Sequence, residues 1–360
     1  MPKRIYNFSA GPATLPYSVL EEAAQDIVNF KDKGIGLIEM SHRSKEFMAV
    51  ADETEALVRE LLEVPKNYKV LFLQGGASSQ FFMVPMNLLG ADKKATYLNT
   101  GTWAKKAIKE AKLFGNIDVA YSSEESTFNR VPEADEYAVD QSSEYLYLCS
   151  NNTIYGTQFA QFPEKESMLV CDMSSDIFSR QLDISRFGII FAGAQKNMGP
   201  AGVTLVIIRE DLLESTPDNV PTMLSYKTHA DKGSMFNTPP TFAIYCMGRV
   251  LNWLKEQGGV AAMQHRNEEK AALLYDAIDG SDFYRGHAEK ASRSLMNVTF
   301  NLPTPELEAE FIAEAATLDM DGLKGHRSIG GCRASIYNAF PKEGIEKLVA
   351  FMAEFAAKNG

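Results

Sequence analysis

Apolar residues recur every three or four positions in "SVLEEAAQDIVNF" (18–30) and in "KEFMAVADETEALVRELLEV" (45–64), so each segment is predicted to be a helix with one buried face. The texture then shifts to short, uninterrupted apolar runs. "VLFLQGG" (70–76) reads as a buried strand ended by glycines, and "SSQFFMVPMNLL" (78–89) as a helix interrupted by Pro85. "ATYLNTG" (95–101) reads as a strand and "TWAKKAIKEAKLFG" (102–115) as a helix closed by Gly115. Strand-like runs follow at "IDVAYSS", "YLYLCSN" and "SMLVCDMSSD", and two more lie in "GIIFAGAQKNMGPAGVTLVII" (188–208). Strands alternating with helices predict an α/β architecture: a mostly parallel sheet of seven-stranded type, covered by helices, with ligands at the carboxyl ends of the strands.

From about Pro240 the pattern is different. A long helical stretch (242–279) is interrupted near Gly258 and Gly259, then come strand "SLMNVTF", helix "PELEAEFIAEAATL", short strands around "GGCRASIYN" and a last helix "GIEKLVAFMAEFAAK". That is a smaller α+β unit. The expected organisation is an N-terminal arm (1–15), a large domain (16–257) and a small C-terminal domain (258–360), without solenoid repeats or a low-complexity linker.

Composition narrows the function classes. The 360 residues are 45% hydrophobic, enough for a large core, and 36 basic residues against 47 acidic ones leave a net charge of −11. Nucleic acid and anionic membranes are therefore not expected partners, and any bound anion must meet a locally basic site. The four cysteines are far apart and offer no metal-ligand spacing, which fits reduced core thiols and a cytoplasmic protein. The N-terminal "MPKRIYNFSAGPATLPYS" lacks the apolar stretch of a signal peptide, and no uncharged apolar run reaches membrane-spanning length.

Four features at the predicted strand ends carry candidate chemistry. Lys196 lies in a turn of small residues between two apolar runs, where it is either a solvated lysine at a hairpin tip or a lysine held in a largely dry turn for a reaction. Asp172 follows an apolar strand 24 residues earlier; it is either a local cap or an acid able to reach the same ligand. "LQGGASSQFF" joins a strand to a helix start with glycines and the small residues Ala77 and Ser78, which suits a phosphate but matches neither nucleotide-binding fingerprint. Trp103, at the next helix start, is either core or a stacking face for a flat ligand. Pyridoxal 5′-phosphate wants all four: a helix N-terminus for its phosphate, an aromatic face for its ring, an acid for its pyridine nitrogen and a lysine for its aldehyde.

The motifs "NFSAGPA", "SHRSKEF", "LQGGASSQF", "AGAQKNMGPAG", "GSMFNTPPTF" and "GHRSIGGCRASIYNA" occur in order along nearly the whole chain, and together they resemble those of the phosphoserine aminotransferase family, of the aspartate-aminotransferase-like fold (fold type I). The resemblance implies that Lys196 forms the Schiff base, Asp172 pairs with the pyridine nitrogen and Trp103 stacks on the ring. It implies that Ala77, Ser78, Thr153 and Gln195 hold the phosphate and ring-hydroxyl side. Asn237 and Thr238 would reach the cofactor phosphate from a partner subunit, which makes a homodimer with shared active sites. Ser9, Arg43 and Arg333 match substrate-holding positions, with Arg333 as the fork for the α-carboxylate. Some family members carry an arginine where this chain has Ser78, so a phosphate contact from that side chain is missing here.

The residues add their own argument for a doubly anionic substrate. His42-Arg43 and His326-Arg327 both occur as "HRS", so two of only five histidines are paired with arginine in an acidic protein. They read either as scattered surface charge or as a basic pocket for a phosphomonoester. The expected reaction is ping-pong transamination between glutamate (giving 2-oxoglutarate) and 3-phosphooxypyruvate (giving phosphoserine). The resemblance also allows 3-hydroxy-2-oxo-4-phosphooxybutanoate, of vitamin B6 synthesis. Two alternatives stay open: a cysteine desulfurase of the same fold, with Cys332 as its one candidate nucleophile, and a non-catalytic phospholigand-binding protein with Lys196 in a salt bridge.

Overall fold

The computed structural model describes residues 4–164 and 167–360, so residues 1–3 of the predicted arm lie outside the described residues. Seven strands build the main sheet: β1 (Tyr68–Leu73), β2 (Lys94–Asn99), β3 (Asn116–Ser122), β4 (Ser143–Cys149), β5 (Leu169–Asp172), β6 (Phe187–Gly193) and β7 (Thr204–Arg209). Their spatial order is β1–β7–β6–β5–β4–β2–β3. Only β7 is antiparallel to its neighbours, pairing with β1 and β6; the other pairs are parallel. The helices are α1 (Tyr17–Val28), α2 (Lys45–Leu61), α3 (Gly76–Leu88), α4 (Thr102–Ala111), α5 (Tyr226–Asp231), α6 (Thr241–Glu256), α7 (Gly259–Asp279), α8 (Pro305–Thr317) and α9 (Lys342–Asn359).

Successive strand residues point to opposite faces, and both faces are covered, which is why the central strands are apolar throughout. Leu71, Val170, Ile189 and Val206 pack with Phe81, Ala104 and Ile108 of α3 and α4. On the other face Phe72, Cys171, Ile190 and Leu205 pack with Phe47 and Leu57 of α2 and Ile244 and Leu251 of α6. Two expectations need correction. Pro85 does not interrupt α3: a proline lacks only its own N–H, and the Leu89 amide still closes the last turn on the Pro85 carbonyl at 2.8 Å. The six-residue α5 went unpredicted because it is too short to show a period.

The break near 258 is observed: α6 ends at Glu256, α7 starts at Gly259, and Gly258 and Gly259 have φ of 96° and 75°, a left-handed backbone that glycine adopts without strain. Beyond it, β8 (Arg285–Gly286), β9 (Asn297–Asn301) and β10 (Cys332–Ser335) form an antiparallel sheet in that order. With α7, α8 and α9 it encloses a separate apolar cluster containing Phe300, Phe311 and Phe351. The arm belongs to this part. Tyr6–Asn7 pairs in parallel with Met320–Asp321, Phe8 is fully buried in the C-terminal cluster, and the chain then reaches Lys196's turn, where the Ala13 amide donates to the Gln195 carbonyl at 2.9 Å.

Candidate active site

β5 and β6 are parallel neighbours in which Asp172 pairs in register with Phe191, so the chain leaving each strand emerges at the same edge of the sheet. There a cavity of about 380 Å³ is lined by Ala77, Ser78, Trp103, Asp172, Gln195 and Lys196, six of the predicted cofactor residues. Lys196 does sit in the connection between two antiparallel strands, as a hairpin lysine would. It is nevertheless only partly exposed, and it faces the cavity rather than bulk solvent. Its Nζ donates to Thr153 Oγ1 at 2.5 Å and lies 5.6 Å from the centroid of the Trp103 ring. Burial pushes the amine below the usual lysine range, opposed chiefly by the charge of Asp172.

Asp172 satisfies both of its sequence readings. Its Oδ1 accepts the Ser174 amide at 2.9 Å and the Ser174 hydroxyl at 2.6 Å, a local turn, while the residue lines the cavity. Burial raises its pKa, and the Ser174 bonds and then the Lys196 charge pull it back. The other carboxylate oxygen accepts no hydrogen bond among the described residues. Ser174 Oγ also accepts the Gly193 amide at 3.0 Å, fixing the end of β6 to the same turn.

The start of α3 is the anion-facing wall. Gly75 has φ of 91°, and a Cβ there would lie 2.0 Å from Ser79 Oγ, so only glycine fits. The helix therefore opens at Gly76 with no side chain capping its first amides, and these line the cavity with Ala77 and Ser78. The donor set fits the predicted cofactor: uncapped amides for a phosphate, an indole face, a buried acid with a free oxygen and an amine of lowered basicity. Trp103 Nε1 is itself buried without a partner among the described residues.

Not every predicted residue lines the cavity. Thr153 reaches it through Lys196, and Arg333, on β10, donates from Nη1 to the Thr153 carbonyl at 3.3 Å. Asn237 and Thr238 lie beyond the rim, where Gln74 Nε2 donates to the Thr238 carbonyl at 3.3 Å. Ser9 packs against Gly322, with no room there for a Cβ. His42 and exposed Arg43 precede α2, while half-buried His326 and exposed Arg327 sit in the turn before β10. Within one chain no hydrogen bond or ion pair joins these two dipeptides among the described residues. His326 is held below its ordinary pKa by burial and then by the charges of Arg333, Arg327 and Lys106.

Several participants were missed. Ser174 and Ser175 were legible as the "MSSD" following the strand, but Asn151 is joined to Ser175 and Asn297 through 2.8 Å bonds that cross between distant segments. Cys149 lines the cavity, yet burial pushes its thiol far up. Cys332 is 1% exposed in the core of the small sheet, its thiol also raised by burial, so the desulfurase reading loses its nucleophile. The binding-module reading also loses its basis, since Lys196 makes no ion pair within 4 Å among the described residues.

The class-V aminotransferase family matches residues 5–348. A phosphoserine aminotransferase of Desulfotalea psychrophila is 76% identical over 359 residues, covering 100% of this chain and 99% of its own. The solved phosphoserine aminotransferase of Bacillus circulans subsp. alkalophilus superposes with a TM-score of 0.97 at 51% identity over 99% of each chain. A phosphoserine aminotransferase of Trichomonas vaginalis, solved with pyridoxal phosphate bound, gives a TM-score of 0.93 at 40% identity, covering 97% of this chain and 100% of its own.

Proposed function

Because this chain belongs to the class-V aminotransferase family, we propose that the cavity around Lys196 moves an amino group between glutamate and 3-phosphooxypyruvate, yielding 2-oxoglutarate and phosphoserine in serine biosynthesis. The observation that carries this reading is the convergence of Lys196, Asp172, Trp103 and the uncapped α3 start on one cavity. Pyridoxal phosphate, when bound, supplies an aldehyde that exchanges amines and a protonated ring that takes up electron density.

The chain's own groups do the rest. The first amides of α3, with Ala77, Ser78, Thr153 and Gln195, hold the cofactor's phosphate and hydroxyl side. Trp103 supplies the stacking face, and Asp172 keeps the pyridine nitrogen protonated. Lys196, its basicity lowered by burial, takes the proton from the substrate α-carbon and returns it. Thr153 Oγ1 would orient that amine while it is free. Arg333 receives the α-carboxylate as a fork, with Ser9 beside it. His42, Arg43, His326 and Arg327 receive the distal anion, a side-chain carboxylate in one half-reaction and a phosphate in the other.

The finer readings belong to the same proposal. Asn237 and Thr238 serve a second copy of the chain, so the working unit is a homodimer; their position outside their own chain's cavity lining supports this. The four buried, unbridged cysteines support a reducing, cytoplasmic setting. The pocket also accepts 3-hydroxy-2-oxo-4-phosphooxybutanoate, which shares the distal phosphate. The glycine break at 258 divides a large domain (16–257) from a small one (258–360), with 1–15 as an arm. A panel of phosphorylated and unphosphorylated amino acids, read as spectral half-reactions, tests the function. Phosphoserine and glutamate should convert the spectrum fastest, and borohydride should fix mass on Lys196; a colourless protein without that label would end the proposal.

A further inference from the structure

Lys106 lies one turn beyond Trp103 on α4, and its Nζ is 4.5 Å from the centroid of the Trp103 ring. The Lys196 amine is 5.6 Å from the same centroid, so two ammonium-bearing side chains address one indole. Their surroundings differ. Lys196 has Asp172 as its main charge partner, whereas Lys106 is exposed and has no ion pair or hydrogen bond among the described residues. The adjacent Lys105 is paired with Glu124, so an acidic partner lies beside this helix and Lys106 does not take it.

Two more cations and a histidine share the location. Arg333, Arg327 and Lys106 are the charges that act on His326, and no carboxylate is among them. The loop carrying His326 and Arg327 lies beside the α4 start, because Ile329 and Trp103 both pack against the cluster of Phe128, Ile154 and Tyr155. Arg333 Nε is buried without a hydrogen-bond partner among the described residues. In a chain of net charge −11, four basic groups without an acid between them mark a place for an anion. The α3 wall offers amides and the neutral Ser78 hydroxyl but no cation, and the α4 side adds positive charge.

We propose that Lys106 is a specificity-determining residue whose ammonium, steadied over Trp103, contacts the distal anion of the substrate together with His326 and Arg327. This rests on the distal-phosphate reading of those residues given above. A dianionic phosphate gains more from this charge than a carboxylate does, and alanine gains nothing.

The test compares holoenzyme carrying Lys106→Met, Lys106→Arg or Lys105→Met with the parent. Lys106 is exposed, so folding is not at risk. Lys106→Met should lower the phosphoserine-to-alanine ratio of kcat/KM about tenfold, through KM, and weaken inorganic phosphate binding in calorimetry by a similar factor. Lys106→Arg should restore both, and Lys105→Met should match the parent. An equal loss for phosphoserine and alanine would mean that Lys106 only supports the indole, and unchanged values would mean that it does nothing; either overturns the proposal. Arg327→Ala separates the two levels. If it destroys the ratio while Lys106→Met does not, Lys106 alone is misassigned; if neither changes the ratio, the distal-phosphate reading falls as well.

Discussion

Asp172 closes β5 and Lys196 follows the adjacent β6, both line one cavity, and yet the lysine amine bonds Thr153 Oγ1 at 2.5 Å instead of the carboxylate. The two charges are thus close enough to affect each other's protonation but are not spent on a direct ion pair. A flat ligand can use the acid and the amine at once.

Lys196→Ala should keep pyridoxal phosphate through the α3 amides and the Trp103 face while losing turnover, because amine exchange and proton transfer both need Nζ. Cofactor content and steady-state rate, measured on the same preparation, check it. Near-parental activity would remove Lys196 from the reaction.

Asp172→Asn should slow the chemical step by about 10²-fold, since the ring loses the charge that keeps it protonated. A second effect has a defined sign. The Asp172 charge opposes burial at Lys196, so without it the amine should deprotonate at lower pH. The acid limb for capture of pyridoxal phosphate by the apoprotein should therefore move down in this variant; an upward move would contradict the coupling.

Arg327→Ala should weaken phosphoserine by roughly 1.5–3 kcal/mol and leave alanine nearly untouched, while Arg333→Ala should hurt every amino acid through the α-carboxylate. Half-reaction rates for phosphoserine, glutamate and alanine distinguish the two profiles. Equal losses for all three substrates in Arg327→Ala would show that the site does not read phosphate.

Lys270, on α7, is buried without an acidic partner among the described residues and donates to the carbonyls of Ile336, Tyr337 and Phe340 at 3.0, 2.7 and 3.4 Å. It clamps the turn in which the Asn338 amide donates to Asn197, next to Lys196, at 3.0 Å. Lys270→Met removes these three bonds, with only the Tyr337 carbonyl keeping a backbone donor among the described residues, the Phe340 amide at 2.9 Å, and should cost about 1–3 kcal/mol. Burial pushes the ammonium down to about 7, so between that pH and the ordinary lysine range the unfolded chain binds a proton that the native chain has released. Parental stability relative to Lys270→Met should therefore rise with pH from about 7 towards 10, as measured by denaturant unfolding. A falling difference would show that the three carbonyls hold the proton more firmly than burial expels it.

The alternation of apolar runs and helical periods was sufficient for the α/β class, for the strands that became β1 to β7, and for the break at Gly258 and Gly259. These are local signals: a strand buried on both faces must be apolar, and a left-handed position selects glycine. Lys196, Asp172, Trp103 and the α3 start were legible for the same reason, since each follows a strand end or opens a helix. Their convergence was inferred from the chemistry of one cofactor and from the family resemblance, not from spacing. It depends on β5 and β6 being parallel neighbours, and on the arm pairing with Met320–Asp321 and then reaching the Lys196 turn. The bond from Lys196 to Thr153, the packing of the His326–Arg327 loop and the α4 start against one cluster, and the Lys270 clamp join residues from 43 to more than 200 positions apart. Neither spacing nor periodicity encodes which distant side chains meet, because that is decided by strand order and by packing across the sheet; chain pattern set the elements here, and tertiary contact made them a site.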